Sequence, residues 1–272
     1  MKSFILYDDG HHKCIAFSML QQDDSVPTNQ FLIIDGEDGA IIDPGGDLTF
    51  TPLTVQVSKY ISMDNVRYII GSHQDPDIIA SMPRWLIHLE HAKLLTPKLW
   101  EYFLPHYNSA FTKERLKKSI SERLLSIPDE GGYYTLGNSG IVAIPAHFLH
   151  SVGNFQFYDP VSQILFSGDM GASLTGHSGQ AVTNFKTHID QMAGFHRRYM
   201  NSKKATQLWA NAVKDLPISK MVPQHGLRID GQEMFHQFLN WISQLDCGVD
   251  LLKEQDYDFW RFIPEFFPDL TS

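Results

Sequence analysis

Arg67-Tyr68-Ile69-Ile70-Gly71-Ser72-His73-Gln74-Asp75-Pro76-Asp77-Ile78 decides the reading of this chain. Its first half, an apolar run closed by glycine, predicts a buried central strand over 67–71. Its second half places His73, Asp75 and Asp77 at alternate positions just past that strand. Alternate side chains of extended backbone share a face, so three potential metal ligands can converge there. Pro76 helps by biasing Asp75 away from helical geometry. Taken alone the string is weak, because a polar loop with Asp77 capping the following helix has the same residues.

Three further strings raise its weight. Pro145-Ala146-His147-Phe148-Leu149-His150-Ser151 follows an apolar run at 141–144, Ile164-Leu165-Phe166-Ser167-Gly168-Asp169 ends one in an aspartate, and Val222-Pro223-Gln224-His225-Gly226 ends another in a histidine. Four apolar strands thus each finish in an oxygen or imidazole donor beside Gly or Pro, where loops commonly carry chemistry.

Around them the chain reads as two β-rich blocks, each followed by helices. Phe31 to Ile34 and Ala40 to Asp43 flank a Gly/Asp turn and predict a hairpin. Lys93 to Thr96, Phe155 to Tyr158 and Lys220 to Val222 are further strands. Helices are expected over 53–62, over 78–90 with Pro83 disturbing its start, over 186–214 and over 231–245. Leu116, Ile120, Leu124 and Ile127 recur at helical spacing and predict an amphipathic helix over 112–127 with Thr112 as its cap. Two sheets with helices outside, an α+β layered sandwich, fit this order better than an alternating parallel fold. There is no repeat and no low-complexity linker, so a single domain over 1–272 is expected, with an aromatic tail from about residue 250.

Composition narrows the function classes. The chain has 272 residues, 43% hydrophobic and 19% charged, which suits a globular protein with a sizeable core. Its 22 basic against 31 acidic residues, a net −9, argue against nucleic acid or an anionic membrane as partner. Two cysteines make no disulfide framework, the N-terminus has no signal-peptide pattern, and no apolar run is long enough to span a bilayer. A soluble, cytoplasmic protein is expected. The unusual number is 13 histidines.

Together the four strings resemble the metallo-β-lactamase superfamily, whose strand-end loops hold two metals between the sheets of an αββα sandwich. The likeness runs from about Asn29 to Gly226, and within the superfamily it is to the diiron domain of flavodiiron proteins. Those share the H-x-[E/D]-x-D string, Leu-His followed eight residues later by Tyr, Leu-Phe-Ser-x-Asp, and Pro-x-His-Gly; here these are His73-Gln74-Asp75-Pro76-Asp77, Leu149-His150 with Tyr158, Leu165 to Asp169, and Pro223 to Gly226. The family's histidine precedes its bridging aspartate by 19 residues, as His150 precedes Asp169, so His147 is left as a supporting or core histidine. The resemblance implies that His73, Asp75 and His150 hold one iron, that Asp77 and His225 hold the other, and that Asp169 bridges them. Manganese or zinc are alternatives, since affinity order does not favour iron. His11, His12 and His177 read as surface residues, with His177 in a Gly-rich loop that could approach the site mouth.

Two departures from the family matter. Ile78 stands where the second iron would have another histidine, implying an open coordination position beside an apolar wall. Only 47 residues follow His225, whereas a flavodoxin-like domain needs on the order of 140, so no flavin is expected. The resemblance is then to oxygen-binding diiron proteins of bacterial chemotaxis: a sensor that binds dioxygen or nitric oxide and is read by chemotaxis signalling proteins. A reductase of those gases fed by a separate electron carrier is the alternative, and a metal-dependent hydrolase the second. The tail around Asp256 to Phe267 either packs back over the domain or forms a contact surface for a second subunit, as in a homodimer, or a signalling partner.

Overall fold

A computed structural model describes residues 1–19, 26–107, 109–116 and 119–258. The first sheet contains β1 (Lys2–Asp8), β2 (His12–Met19), β3 (Thr28–Asp35), β4 (Asp38–Ile42), β5 (Val66–Ile70), β6 (Lys93–Pro97) and β7 (Leu124–Ile127), in chain order across the sheet. Its first four strands are antiparallel neighbours, and β4 through β7 pair in parallel. The second sheet holds β8 (Gly132–Leu136), β9 (Ser139–Pro145), β10 (Phe155–Asp159), β11 (Ile164–Phe166), β12 (Lys220–Val222) and β13 (Ile229–Asp230).

Apolar residues on both faces of the central strands produce a layered arrangement. In β3, Phe31 and Ile33 face the second sheet and pack with Phe155, Phe157 and Phe166, while Leu32 and Ile34 face outward. The outward face is covered by α1 (Phe50–Val57), α2 (Pro76–Ile79) and α3 (Met82–His88), through Leu53, Val57, Ile79, Met82 and Trp85. Two short helices, α4 (Ala110–Arg115) and α5 (Ile120–Arg123), follow on the same side of the chain order. The outer face of the second sheet, with Tyr158, Leu165 and Met221, is covered by α6 (Phe185–Tyr199), α7 (Lys203–Val213) and α8 (Gln232–Ile242). The order is helices, sheet, sheet, helices: the αββα sandwich expected from the motifs. No helix among the described residues is long and apolar enough to cross a membrane.

The helix expected over 112–127 is corrected. Ser109, not Thr112, caps α4, accepting the Thr112 N–H at 3.0 Å, and a Ser119/Glu122 capping box starts a single turn. Leu124–Ile127 is then the edge strand β7, with Leu94 opposite Leu124 and Pro97 opposite Ile127. Apolar spacing of four suits a helix face locally, but the open edge of β6 offers hydrogen bonds that a helix cannot use. The stretch expected to be helical over 186–214 holds two helices, with Asn184 and Ser202 each capping a start. Of the C-terminal tail, residues from Phe259 onward lie outside the described residues.

Arg123 shows how a charge is held in the first core. It is 3% exposed, and its guanidinium donates to the carbonyls of Ala92 at 2.7 Å, Leu86 at 3.0 Å and Leu89. These are carbonyls freed at and beyond the end of α3. Arg123→Met is expected to lower stability by about 1–3 kcal/mol, the cost of unpaired buried acceptors. A urea midpoint that did not move at constant slope would show that water replaces all three bonds.

His12 departs from its surface reading. It is 1% exposed, with Nδ1 3.0 Å from Asp35 Oδ1 and Nε2 2.8 Å from Asp159 Oδ2. The register pairs His12 with Asp35 across β2 and β3, and β10 delivers Asp159 from the other sheet. His11, its neighbour, is the exposed one.

Candidate metal centre

The ends of β5, β9, β11 and β12 open toward one rim of the sandwich, and the loops leaving them carry the six expected ligands. Past β5, Ser72 is tied down by Asp43: its N–H donates to Oδ1 at 2.8 Å and its hydroxyl to Oδ2 at 3.0 Å. The Ser72 Oγ then lies 3.0 Å from His73 Nδ1, so the ring donates through Nδ1 and keeps Nε2 for the centre. Burial pushes the Asp43 carboxyl up to about 7, against the pull of its Ser72 hydrogen bonds. Pro76 begins α2, leaving Asp75 extended at its N-cap and Asp77 in its first turn.

Past β11, Gly168 turns with φ 56°, a conformation that favours glycine, and presents Asp169. The turn is held by Gln224, whose N–H donates to the Gly168 carbonyl at 2.7 Å, and by the Gly171 N–H bonded to His196 Nε2 at 3.0 Å. His196 is fully buried and its pKa falls to about 4 through that burial, so it stays a neutral acceptor. Past β12, His225 Nδ1 donates to the Pro27 carbonyl at 2.8 Å, which turns its Nε2 inward. Gly226, at φ 82°, is required there: a Cβ would collide with the Ser173 hydroxyl and backbone.

The six side chains meet around Asp169. Its Oδ2 is 3.0 Å from His150 Nε2 and 3.6 Å from His73 Nε2, and its Oδ1 is 3.4 Å from His225 Nε2. Asp75 Oδ2 lies 3.3 Å from His150 Nε2 and 3.8 Å from His73 Nε2, and Asp77 Oδ2 lies 3.4 Å from His225 Nε2. Ligand atoms of His73, Asp75, His150 and Asp169 fall within 4.8 Å of one another. One carboxylate therefore faces two separate groups, His73/Asp75/His150 and Asp77/His225.

The electrostatics are those of a cation site. Burial opposes ionisation of Asp169, but His73, His225 and His150 outweigh it and hold its carboxyl well below the usual range. Burial likewise opposes the His150 imidazolium, yet Asp169 and Asp75 push its pKa up to about 10. For Asp77 burial prevails over His225 and raises the pKa, and for His73 burial lowers it. His73 Nε2, His150 Nε2 and Asp169 Oδ1 are buried with no conventional hydrogen-bond partner. Orphaned lone pairs aimed at a common point are what a metal would satisfy.

Above the centre lies a cavity of about 550 Å³, walled by Val26, Ala172, Ser173, Leu174, Phe195, Arg198 and Tyr199. Phe195 and Tyr199 stack on each other at 4.8 Å, and both meet the His150 ring in T-shaped contacts. The expected supporting residues sit elsewhere. Ile78 is fully buried in the outer core, Tyr158 donates to the Pro217 carbonyl at 2.8 Å, and His147 Nε2 bonds the Asp129 carbonyl at 2.8 Å. None of these three lines the cavity. His177 stacks on Phe4 at 4.5 Å and does not line it either. Sequence reasoning missed Asp43 and His196. Asp43 bore the mark of the others, a carboxylate after an apolar strand beside Pro44 and Gly45.

Several known proteins are similar to this chain in sequence and fold. Two structures of the chemotaxis sensor ODP, one a peroxy diiron species and one the apo state from T. denticola, are 36% identical to this chain. They align over 92% of it and 98% and 97% of their own chains, with TM-scores of 0.80 and 0.79. A flavo di-iron protein from Thermotoga maritima shares the fold at 16% identity, covering 89% of this chain and 60% of its own, with a TM-score of 0.66. The diflavin flavoprotein A 4 of Synechocystis sp. is 23% identical over 234 residues, 80% of this chain; the match spans only 36% of that relative's length. The family described as ODP family beta lactamase matches residues 26–226. This chain belongs to the ODP beta-lactamase family.

Proposed function

We propose that this chain is a diiron oxygen sensor: His73, Asp75 and His150 hold one iron, Asp77 and His225 the other, and Asp169 bridges them. The observation that carries the reading is the division of Asp169, whose two oxygens face two separate imidazole groups. Three carboxylates and three neutral imidazoles sum to −3, and two divalent ions leave the centre near neutrality at +1. A thiolate-free N/O donor set suits iron or manganese better than structural zinc. When bound, two ferrous ions supply the electrons and coordination positions that dioxygen uptake requires.

The chain's own residues do the rest. Ser72 and the Pro27 carbonyl fix the tautomers of His73 and His225, so both rings offer Nε2. Phe195 and Tyr199 hold aromatic rings against His150 and so restrict its orientation. The kinship to a chemotaxis sensor supports signalling as the output, with a chemotaxis protein as reader.

The test is anaerobic reconstitution followed by air. Two irons per chain and one dioxygen taken up per iron pair, with a persistent absorption change, are expected. Rapid decay to ferric protein with no persistent adduct would defeat the sensor reading, and repeated turnover with an added electron carrier would favour the reductase.

A further inference from the structure

Gly194 stands in the interior of α6 where nothing requires glycine. Its φ is not positive, and a Cβ built on it meets no atom within 4 Å. An interior helical glycine costs stability relative to alanine, so an unforced one invites a reason. Gly194 lines the cavity over the metal centre together with Phe195, Arg198 and Tyr199, and with Arg198 and Tyr199 it also borders a neighbouring cleft lined by Asn201 and Val249. That cavity is far larger than a diatomic gas needs: about 550 Å³, against on the order of 30 Å³ for a molecule the size of water.

Its chemistry is organic and cationic. Val26, Leu174 and Tyr199 are 50%, 67% and 54% exposed around the mouth, an apolar rim of the kind that covers a ligand body. Arg198, one helical turn beyond Gly194, makes no hydrogen bond or ion pair among the described residues. With two divalent ions bound, the floor adds net positive charge to that of the guanidinium.

We propose that this cavity binds a small organic carboxylate, with Arg198 as its countercharge and Gly194 setting the size admitted. The inference rests on the two-metal reading, because without cations the three carboxylates outnumber the His150 imidazolium and repel an anion. The guanidinium takes the carboxylate in a planar, charge-assisted hydrogen bond, and the apolar rim takes the chain behind it.

The experiment is calorimetric titration of the anaerobic diferrous protein with acetate, butyrate and hexanoate, and with the neutral amides of the same lengths. Affinity is expected to rise by about fourfold per methylene as each is buried. Arg198→Gln is expected to weaken the carboxylates about tenfold and leave the amides unchanged. Gly194→Leu is expected to remove the length dependence, so that hexanoate binds no better than acetate, and Gly194→Ala to reduce it in part. Both replacements favour the helix, so circular-dichroism melts no lower than that of the parent verify folding. Carboxylates that bind the metals with an affinity indifferent to both positions, or that do not bind, overturn this proposal alone. A chain that takes up no metal overturns it together with the metal reading.

Discussion

Asp169→Ala is expected to abolish binding of both metal ions, whereas His225→Ala leaves one. The difference follows from geometry. Asp169 is the one ligand that touches both groups, with Oδ2 toward His73 and His150 and Oδ1 toward His225. Removing it strips each ion of a donor and removes the anion that offsets the repulsion between two divalent charges. Supporting residues around metal sites are worth roughly 10–100-fold in affinity, and a shared ligand is worth more. His225→Ala strips only the Asp77 side, so anaerobic metal analysis should read about one ion per chain, against two for the parent and under half for Asp169→Ala. Equal loss in both variants would mean that the two groups fill as one cooperative unit. Retention of two ions by Asp169→Ala would remove the bridge.

His12→Ala is expected to lower stability by about 3–5 kcal/mol near pH 5.5, the cost of breaking a buried ion pair and leaving its partners uncompensated. For a chain of this length that corresponds to a fall of roughly 10 °C in Tm. His12 clasps the sheets together between Asp35 and Asp159, with the Tyr7 ring edge and the exposed His11 nearby. The Cys14 thiol lies 3.2 Å from Asp159, with Ser162 also donating to that carboxylate. Burial opposes the imidazolium, but Asp159 and Asp35 outweigh it and raise its pKa above 6.5. Burial also opposes both carboxylates, yet His12 and the surrounding donors hold them below 3.8.

The pH window follows. The His12 contribution is complete below pH 6.5 and is lost as pH rises through its raised folded value. The carboxylate contributions are complete above about pH 3.8 and are lost as pH falls through their depressed values. The clasp is therefore strongest between these limits, and the gap between parent and His12→Ala should narrow toward pH 9. A gap independent of pH would assign the loss to packing rather than to charge.

Much of the centre was legible because its ligands obey a local rule. Each lies in a loop or turn shortly after an apolar strand, and Asp75, Asp77, Asp169 and His225 stand directly beside Gly or Pro. The alternation read from the sequence holds for His73 and Asp75, whereas Pro76 starts α2 and turns Asp77 toward His225. The helix over 112–127 failed for the opposite reason. Leu124 and Ile127 fit a helix face by spacing alone, and the open edge of β6 drew them into a sheet through hydrogen bonds that no local pattern records. Ile78 and Tyr158 were expected to bear on the site because Ile78 stands where the flavodiiron pattern has a histidine and Tyr158 completes its Leu-His-to-Tyr spacing, and both side chains are packed in cores.

By itself, then, the sequence pointed to two β-rich blocks with helices outside, through residue type and short-range periodicity. The αββα order and the choice of His150 over His147 among the six candidate donors came from the family resemblance. Tertiary structure alone decided how Asp169 divides its oxygens, that Asp43 steadies His73 through Ser72, and that His12 is a buried clasp. The physical reason is range. Asp35 and Asp159 lie 23 and 147 residues from His12, and only the packing of one sheet on the other brings their charges within hydrogen-bonding distance.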